Sequence, residues 1–287
     1  MKKLRLFFLA AFLVGFIMGT SMALAQNKPV KDTFEIHFLD VGQGDAAIVI
    51  CDDKVLMIDG GNSADSSLIY SYLKNTLGLD HIDYMVATHP HEDHVGGLSG
   101  ALNACSVGEV FSPVLKYNSE PFNDFLRFLS EQGKELTVPK VGDIYALGSA
   151  RFQFLSPLQA NSAIENNWSL ILRMTYGQTA FLFMGDAELS SEADLITLSH
   201  ERQYELKSDL IKVGHHGGEF STSFVLLQAA KPKVAILSVG DNNSYGHPSP
   251  HTLERLQIAK ADIYRTDKQG DIVCFSDGGE IRIQTEK

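Results

Sequence analysis

The sequence predicts an α/β fold in which two mixed β-sheets pack face to face with helices outside. Three observations point to it. Short apolar runs of strand length alternate with segments of helical character along nearly the whole chain. Polar clusters rich in histidine and aspartate recur at the carboxyl ends of those apolar runs. No Pro/Ser-rich linker, low-complexity tract or internal repeat divides residues 26–287, which therefore read as one domain with a well-buried core. Stacking two such sheets gathers the polar strand ends along one edge.

Residues 1–25 read as a targeting segment rather than as part of this fold. Lys2, Lys3 and Arg5 form a positive start, Leu6 to Met22 is almost unbroken apolar sequence, and Ala23-Leu24-Ala25 has the small-x-small pattern that signal peptidase cuts. Cleavage there makes Gln26 the first mature residue and predicts a secreted or extracytoplasmic protein. An uncleaved anchor is the rival reading, since about 17 apolar residues approach the lower limit for a span. Membrane attachment is expected only in that case.

The elements follow in order. Phe34 to Leu39 alternates, Ala46 to Cys51 is continuously apolar, and Val55 to Ile58 follows the turn Asp52-Asp53-Lys54; all three are predicted strands. Asp59-Gly60-Gly61 ends the third, and a helix is predicted over Ser66 to Leu77. The strand Tyr84 to Thr88 delivers a histidine-rich loop, with a helix from Val95 to Ala104. The middle is less regular and holds one predicted helix, Pro121 to Gln132. Strands return at Arg151 to Leu155, Leu170 to Tyr176 and Thr179 to Met184, the last two joined by the hairpin turn Gly177-Gln178. Gly185-Asp186 closes that hairpin, and a polar helix begins near Glu188. The strand Asp209 to Val213 runs into His215-His216-Gly217-Gly218. A helix at Ser221 to Ala230, a strand at Val234 to Val239 and a helix at Pro250 to Ala259 follow. Short strands at Ile263, Ile272 to Phe275 and Ile281 to Ile283 finish the chain.

Charge and cysteine content narrow the function. The net charge of −11 becomes −14 once the three basic residues of the targeting segment are removed. That balance disfavours partners bound mainly by phosphate neutralisation, such as duplex DNA. Cys51, Cys105 and Cys274 are far apart and form no Cys-x-x-Cys pair, so buried free thiols are the expectation. One disulfide with one leftover thiol is the alternative.

The chemistry concentrates in His89-Pro90-His91-Glu92-Asp93-His94. Imidazole nitrogen and carboxylate oxygen are the usual ligands for zinc and also suit manganese or iron. Pro90 keeps His89 extended, so the ligands are expected on an irregular loop rather than along a helix. His89 and His91, two apart in such a segment, point the same way and can share one ion. Asp93 and His94, at the start of the turn Val95-Gly96-Gly97, face a second.

His89-x-His91-x-Asp93-His94 resembles the signature of the metallo-β-lactamase-fold superfamily, αββα sandwiches with one or two metals. Asp40-Val41-Gly42-Gln43-Gly44-Asp45 resembles the D-V-G-Q-G-D motif of one branch. That branch includes the hydrolase domain of ComEC-type competence proteins and the choline-binding phosphorylcholine esterases. Asn167-Trp168-Ser169-Leu170, Gly185-Asp186-Ala187-Glu188, His215-His216-Gly217 and Tyr245-Gly246-His247-Pro248 are similar to that branch in the same order, so the likeness covers Phe34 to Ile283.

The resemblance implies two divalent ions, zinc or manganese, as cofactors. His89 and His91 would hold the first, Asp93 and His94 the second, and Asp186 would bridge them. His215 or His216 would complete the second ion, with His215 preferred and the other free to touch the scissile phosphate. Asn167 stands where many members supply a further histidine to the first ion. A hydroxide activated between two ions about 3.5–4 Å apart would attack in line, with Asp93 at its side. Asp59 either orients a ligand histidine or caps its own turn. Asp40 and Asp45 either orient the site or hold their loop. His247 is open to three roles: general acid, substrate contact and loop brace. Tyr245 beside it either contacts substrate or is simply exposed. His37, His81, His200 and His251 read as strand or surface residues, and Trp168 as core or cleft wall.

The implied function is a secreted metal-dependent hydrolase acting on phosphodiesters, with single-stranded DNA or an envelope polymer as substrate and no obligate protein partner. Hydrolysis of carboxylic esters, lactones or β-lactams is the second reading, and a non-catalytic binding module of the same fold is the third.

Overall fold

In β1 (Phe34–Phe38), Phe34, Ile36 and Phe38 turn to the central core, while His37 faces the other way and its Nδ1 meets the Tyr72 hydroxyl at 2.9 Å. This alternation of faces is the period-2 pattern read from the sequence. The computed structural model describes residues 34–157 and 162–287. The predicted signal segment, residues 1–25, lies outside the described residues. Among the described residues no helix is long and apolar enough to cross a membrane.

The first sheet grows outward from β1. β2 (Ala46–Cys51) and β3 (Lys54–Gly60) add antiparallel. After α1 (Ser66–Ser71), β4 (His81–Val86) lies parallel to β3. Two short helices, α2 (Glu92–Val95) and α3 (Leu98–Ala104), lead to β5 (Ser106–Phe111). The amphipathic α4 (Glu120–Glu131) then leads to β6 (Leu136–Thr137), the parallel edge strand.

The second sheet begins with the antiparallel strands β7 (Ile144–Leu147), β8 (Ala150–Phe154), β9 (Leu172–Tyr176) and β10 (Thr179–Phe183). It continues in parallel through α5 (Leu189–Arg202), β11 (Leu210–Lys212), α6 (Phe224–Ala230), β12 (Val234–Leu237), α7 (Pro250–Ile258) and β13 (Asp262–Arg265). The short α8 (Thr266–Gln269) returns the chain to the first sheet, where β14 (Ile272–Ser276) pairs with β1 and β15 (Ile281–Thr285) forms the edge. The strand orders are β15-β14-β1-β2-β3-β4-β5-β6 and β13-β12-β11-β10-β9-β8-β7.

The layers follow from which face each residue takes. Between the sheets, Phe34 stacks on Phe181 at 4.8 Å and Phe38 on Phe183 at 6.1 Å. Full burial of such a side chain contributes roughly 1.5–3 kcal/mol. Ile48 and Met57 turn outward to pack with Ile69, Leu98 and Phe122 of α1, α3 and α4. On the far side, Leu182 and Ile211 pack with Leu195, Leu226 and Leu256 of α5, α6 and α7. The αββα sandwich is therefore as the sequence predicts. Cys51, Cys105 and Cys274 are free and buried.

Three local readings differ. The helix expected to Leu77 is α-helical only to Ser71, and a wider turn over Tyr72–Thr76 carries Tyr72 to its contact with His37. The irregular middle contains β5, β6 and β7; Gly108 and Glu109 interrupt the apolar pattern of β5, and β6 is two residues long. Asp93 and His94 lie in the helical turn α2 rather than on irregular backbone, although His89 and His91 precede it.

One close approach positions the functional edge. Gly97, between α2 and α3, lies directly against the Gly60 carbonyl, where a Cβ would collide with that oxygen, and its N–H donates to Gly61 O at 3.0 Å. This contact brings α2, with His94, onto the end of β3, with Asp59. Gly97→Ala is expected to lower stability by about 1–3 kcal/mol, as overpacking does, measurable as a fall in the denaturant midpoint. An unchanged midpoint would show that the contact yields freely.

Candidate metal centre

The first sheet supplies its ligands from the ends of β3 and β4. Asp59 has a left-handed backbone (φ 58°), uncommon for a non-glycine residue. Three bonds hold it there: Thr88 N and Thr88 Oγ1 each donate to it at 2.7 Å, and His94 Nδ1 meets Oδ2 at 2.8 Å. The geometry thus has Asp59 orienting a histidine, leaving His94 Nε2 to point at Asp186 Oδ1, 3.3 Å away. His89 Nε2 and His91 Nδ1 stand 2.9 Å apart, and His89 Nε2 is 3.7 Å from Asp186 Oδ2.

The second sheet supplies Asp186 and a histidine pair. Gly185 turns the chain with φ 52° at the end of β10, and Asp186 N donates to Ser169 Oγ at 3.0 Å. After β11, His215 and His216 are both left-handed, with φ of 47° and 52° between Gly214 and Gly217. That double turn sends the two rings different ways. His216 is buried, with Nε2 3.2 Å from Asp93 Oδ2 and 3.4 Å from Asp186 Oδ2. Its Nδ1 lies 3.0 Å from Ser238 O and 3.2 Å from Asp45 Oδ1. His215 is partly exposed and faces Glu188 Oε1 at 3.3 Å, with Nε2 4.0 Å from Asp186. Of the two histidines the sequence left open, with His215 preferred, it is His216 that joins the cluster, while His215 faces the cleft.

Other expected residues sort clearly. Asp45 stands behind His216, whereas Asp40 turns away, holding its loop through Gly42 N and meeting Lys287. Asn167 is buried with its amide oxygen accepting from Glu188 N at 3.1 Å, so it braces the Asp186 loop. Its neighbour Asn166 lines the cleft instead. Tyr245 is 70% exposed beside His247, whose ring lies 5.0 Å from that of His215. These groups surround an open cleft of about 340 Å³. Trp168 is half-buried, donating to Ser162 O and set edge-on to Tyr117.

The donor set fits a cation. Asp93, His94, Asp186 and His216 each offer a ligand atom, all within 4.8 Å of one another. His94 Nε2, Asp186 Oδ1 and His216 Nε2 are buried there with no hydrogen-bond partner, an arrangement that native interiors otherwise avoid. Burial acts to lower the pKa of His94 and His216, but the facing carboxylates outweigh it and push both well above the usual range. Burial also acts to raise Asp186, yet the imidazoles hold it well below its usual value. His89, governed by burial and the neighbouring His94, is pushed well down. Burial and the nearby His215 and His216 lower His247 to about 4.

Sequence reasoning missed three residues. Glu165 accepts from Tyr117 OH at 2.7 Å and meets His91 Nε2 at 3.0 Å, and no pattern in its loop signals this. Glu188 faces His215 and also accepts from Asn166. Lys212 is buried behind Asp45 at 2.7 Å; its signal was a lone lysine inside the apolar run before the histidine pair.

Comparison with known proteins agrees with this fold. A family model described as the metallo-beta-lactamase superfamily matches residues 39–241. ComE operon protein 3 of Bacillus subtilis is 31% identical over 257 residues, covering 83% of this chain and 32% of that protein. Recombination protein 2 of Haemophilus influenzae is 28% identical, covering 93% of this chain and 32% of its own length. The chain thus spans about a third of the length of these curated relatives. The crystal structure of the metallo-beta-lactamase fold protein YhfI from Bacillus subtilis superposes with a TM-score of 0.54 at 10% identity, over 85% of this chain and 100% of that one. It shares the fold alone.

Metal titration separates the histidine pair. His216→Ala is expected to weaken the affinity for one ion by at least tenfold, whereas His215→Ala should leave the binding isotherm unchanged. The reverse pattern would restore His215 as the ligand.

Proposed function

Because this chain belongs to the metallo-β-lactamase superfamily, we propose that it is a metal-dependent hydrolase of phosphodiesters, working with two divalent ions, zinc or manganese. The observation that carries the reading is the cluster of Asp93, His94, Asp186 and His216, with its unpartnered inward-facing atoms, beside the His89–His91 pair. Asp186 presents Oδ1 to His94 and Oδ2 to both His89 and His216, so one carboxylate would be within reach of the groups that hold either ion. Ions held there would supply Lewis acidity toward a phosphoryl oxygen and lower the pKa of water toward neutrality.

The chain's own groups do the rest. Asp59 fixes the rear nitrogen of His94, and the Ser238 carbonyl, with Asp45 close beside it, meets that of His216, so that both rings keep one orientation. Glu165 and its Tyr117 partner do the same for His91. His215 and His247 face the cleft from the second sheet, placed to contact the oxygens or the leaving group of a bound phosphodiester. Support for phosphodiesters also comes from the relative named Recombination protein 2, since recombination acts on nucleic acid. Among the described residues no lysine or arginine lines the cleft, so few phosphates beyond the reacting one would be gripped. Single-stranded DNA and an envelope phosphodiester polymer both suit such a site. The targeting segment read in residues 1–25 supports action outside the cytoplasm.

Bis-p-nitrophenyl phosphate should be hydrolysed faster than nitrocefin, and chelation should abolish the activity. If single-stranded DNA is cleaved, the rate should fall only modestly with salt, because few counterions are released on binding. Nitrocefin turnover without phosphodiesterase activity would replace this reading with β-lactam or ester hydrolysis. Activity that survives EDTA in metal-free protein would remove the metals from it.

His247→Ala should retain metal; a loss of about 10²–10⁴ in rate would mean that the bound phosphodiester's charge restores the proton this imidazole otherwise lacks near neutral pH, so that it serves the leaving group. Full activity in that variant would reduce His247 to a loop residue.

A further inference from the structure

Lys212 is the charged side chain least expected where it lies. It closes β11, follows two fully buried apolar residues, and is itself only 4% exposed. A buried ammonium needs a counter-charge and hydrogen bonds. Its Nζ stands 2.7 Å from Asp45 Oδ2 and donates to Val213 O at 3.0 Å. The other oxygen of Asp45 is 3.2 Å from His216 Nδ1, beside the Ser238 carbonyl that the same nitrogen meets at 3.0 Å, and His216 Nε2 faces Asp93 and Asp186. One continuous line of contacts therefore runs from Lys212 through Asp45 and His216 to the cluster.

Two features make this more than the pairing of a stray charge. Asp45 shares a fully buried cluster with Asp59 and His94, and two carboxylates so close repel each other unless a cation stands beside them. The space around the pair is about 10 Å³, lined by Asp45, Asp59, Thr88, Lys212 and Ser238. That is at the lower limit for a single water, too little solvent to screen Asp45 in place of the ammonium. We infer that Lys212 is a positioning residue: by fixing Asp45 behind His216, it sets the affinity of the ion that His216 ligates. The inference rests on the metal-dependent reading above and touches no group that meets substrate.

The test is titration of the chelator-stripped full chain with zinc alone, comparing wild type, His216→Ala, Lys212→Met, and Lys212→Met combined with Asp45→Asn. The single lysine variant leaves a carboxylate buried without its counter-charge and should unfold at lower temperature. The double variant removes both charges and should regain most of that midpoint. Zinc affinity should nevertheless fall by about 10–100-fold in both, as for loss of an orienting partner, and for the same ion that His216→Ala weakens. Wild-type affinity in either folded lysine variant would overturn the inference and leave Lys212 a counter-charge for folding only. An unaltered chain that binds no zinc would instead bring down the metal-dependent reading, and this inference with it.

Discussion

The functional edge depends on the cost of burying carboxylates. Asp186 is almost fully enclosed, and a carboxylate taken from water loses several kcal/mol of solvation. Here the loss is offset by His94 and His216, which stand within 3.4 Å of its oxygens. One of those rings comes from the first sheet and the other from the second. The attraction therefore operates only when the sandwich is packed in correct register, with Phe34 on Phe181 and Phe38 on Phe183 beneath it. Fold and site are tied through one carboxylate.

Behind the ligands lies a layer of polar groups that never reaches solvent. Asp59 with Thr88 backs His94, and Asp45 with Lys212 and Ser238 backs His216. These groups tie the rear nitrogens, so the forward nitrogens converge without needing to be held by one another. The cleft side is built differently. Tyr245, His247, His215 and Asn166 come from loops at the rim and can vary without disturbing the buried layer. Such a division suits a superfamily in which one scaffold serves many reactions.

Much of this was legible in the sequence because its signals are periodic or clustered. The alternation of β1, the apolar run of β2 and the hairpin of β9 and β10 follow from two-residue periodicity. The histidine loop announced its chemistry by composition. What escaped depended on distance or on backbone torsion. Adjacent histidines look equivalent in a sequence, and only the left-handed turn at His215 and His216 decides which ring goes inward. Asn167 was expected near the first ion because of where it sits in a motif, yet its oxygen is committed to Glu188 N. Glu165 reaches His91 across 74 positions, a separation that no local pattern encodes. β6 is too short to leave a periodic trace.

The placement of β14 has a consequence for how the chain folds. β1, the first strand of the described chain, lies between β2 and β14, and its pairing with β14 joins residues more than two hundred positions apart. Non-local pairings of this kind are slow to form, because the intervening chain must be ordered before they are rewarded. During synthesis, β1 to β6 can assemble with one flank of β1 left open, exposing a row of unpaired amides and carbonyls. Such an edge is an invitation to the wrong partner. The last strands act as a latch, and a chain cut short before Ile272 would carry the candidate metal ligands yet keep that flank open to aggregation.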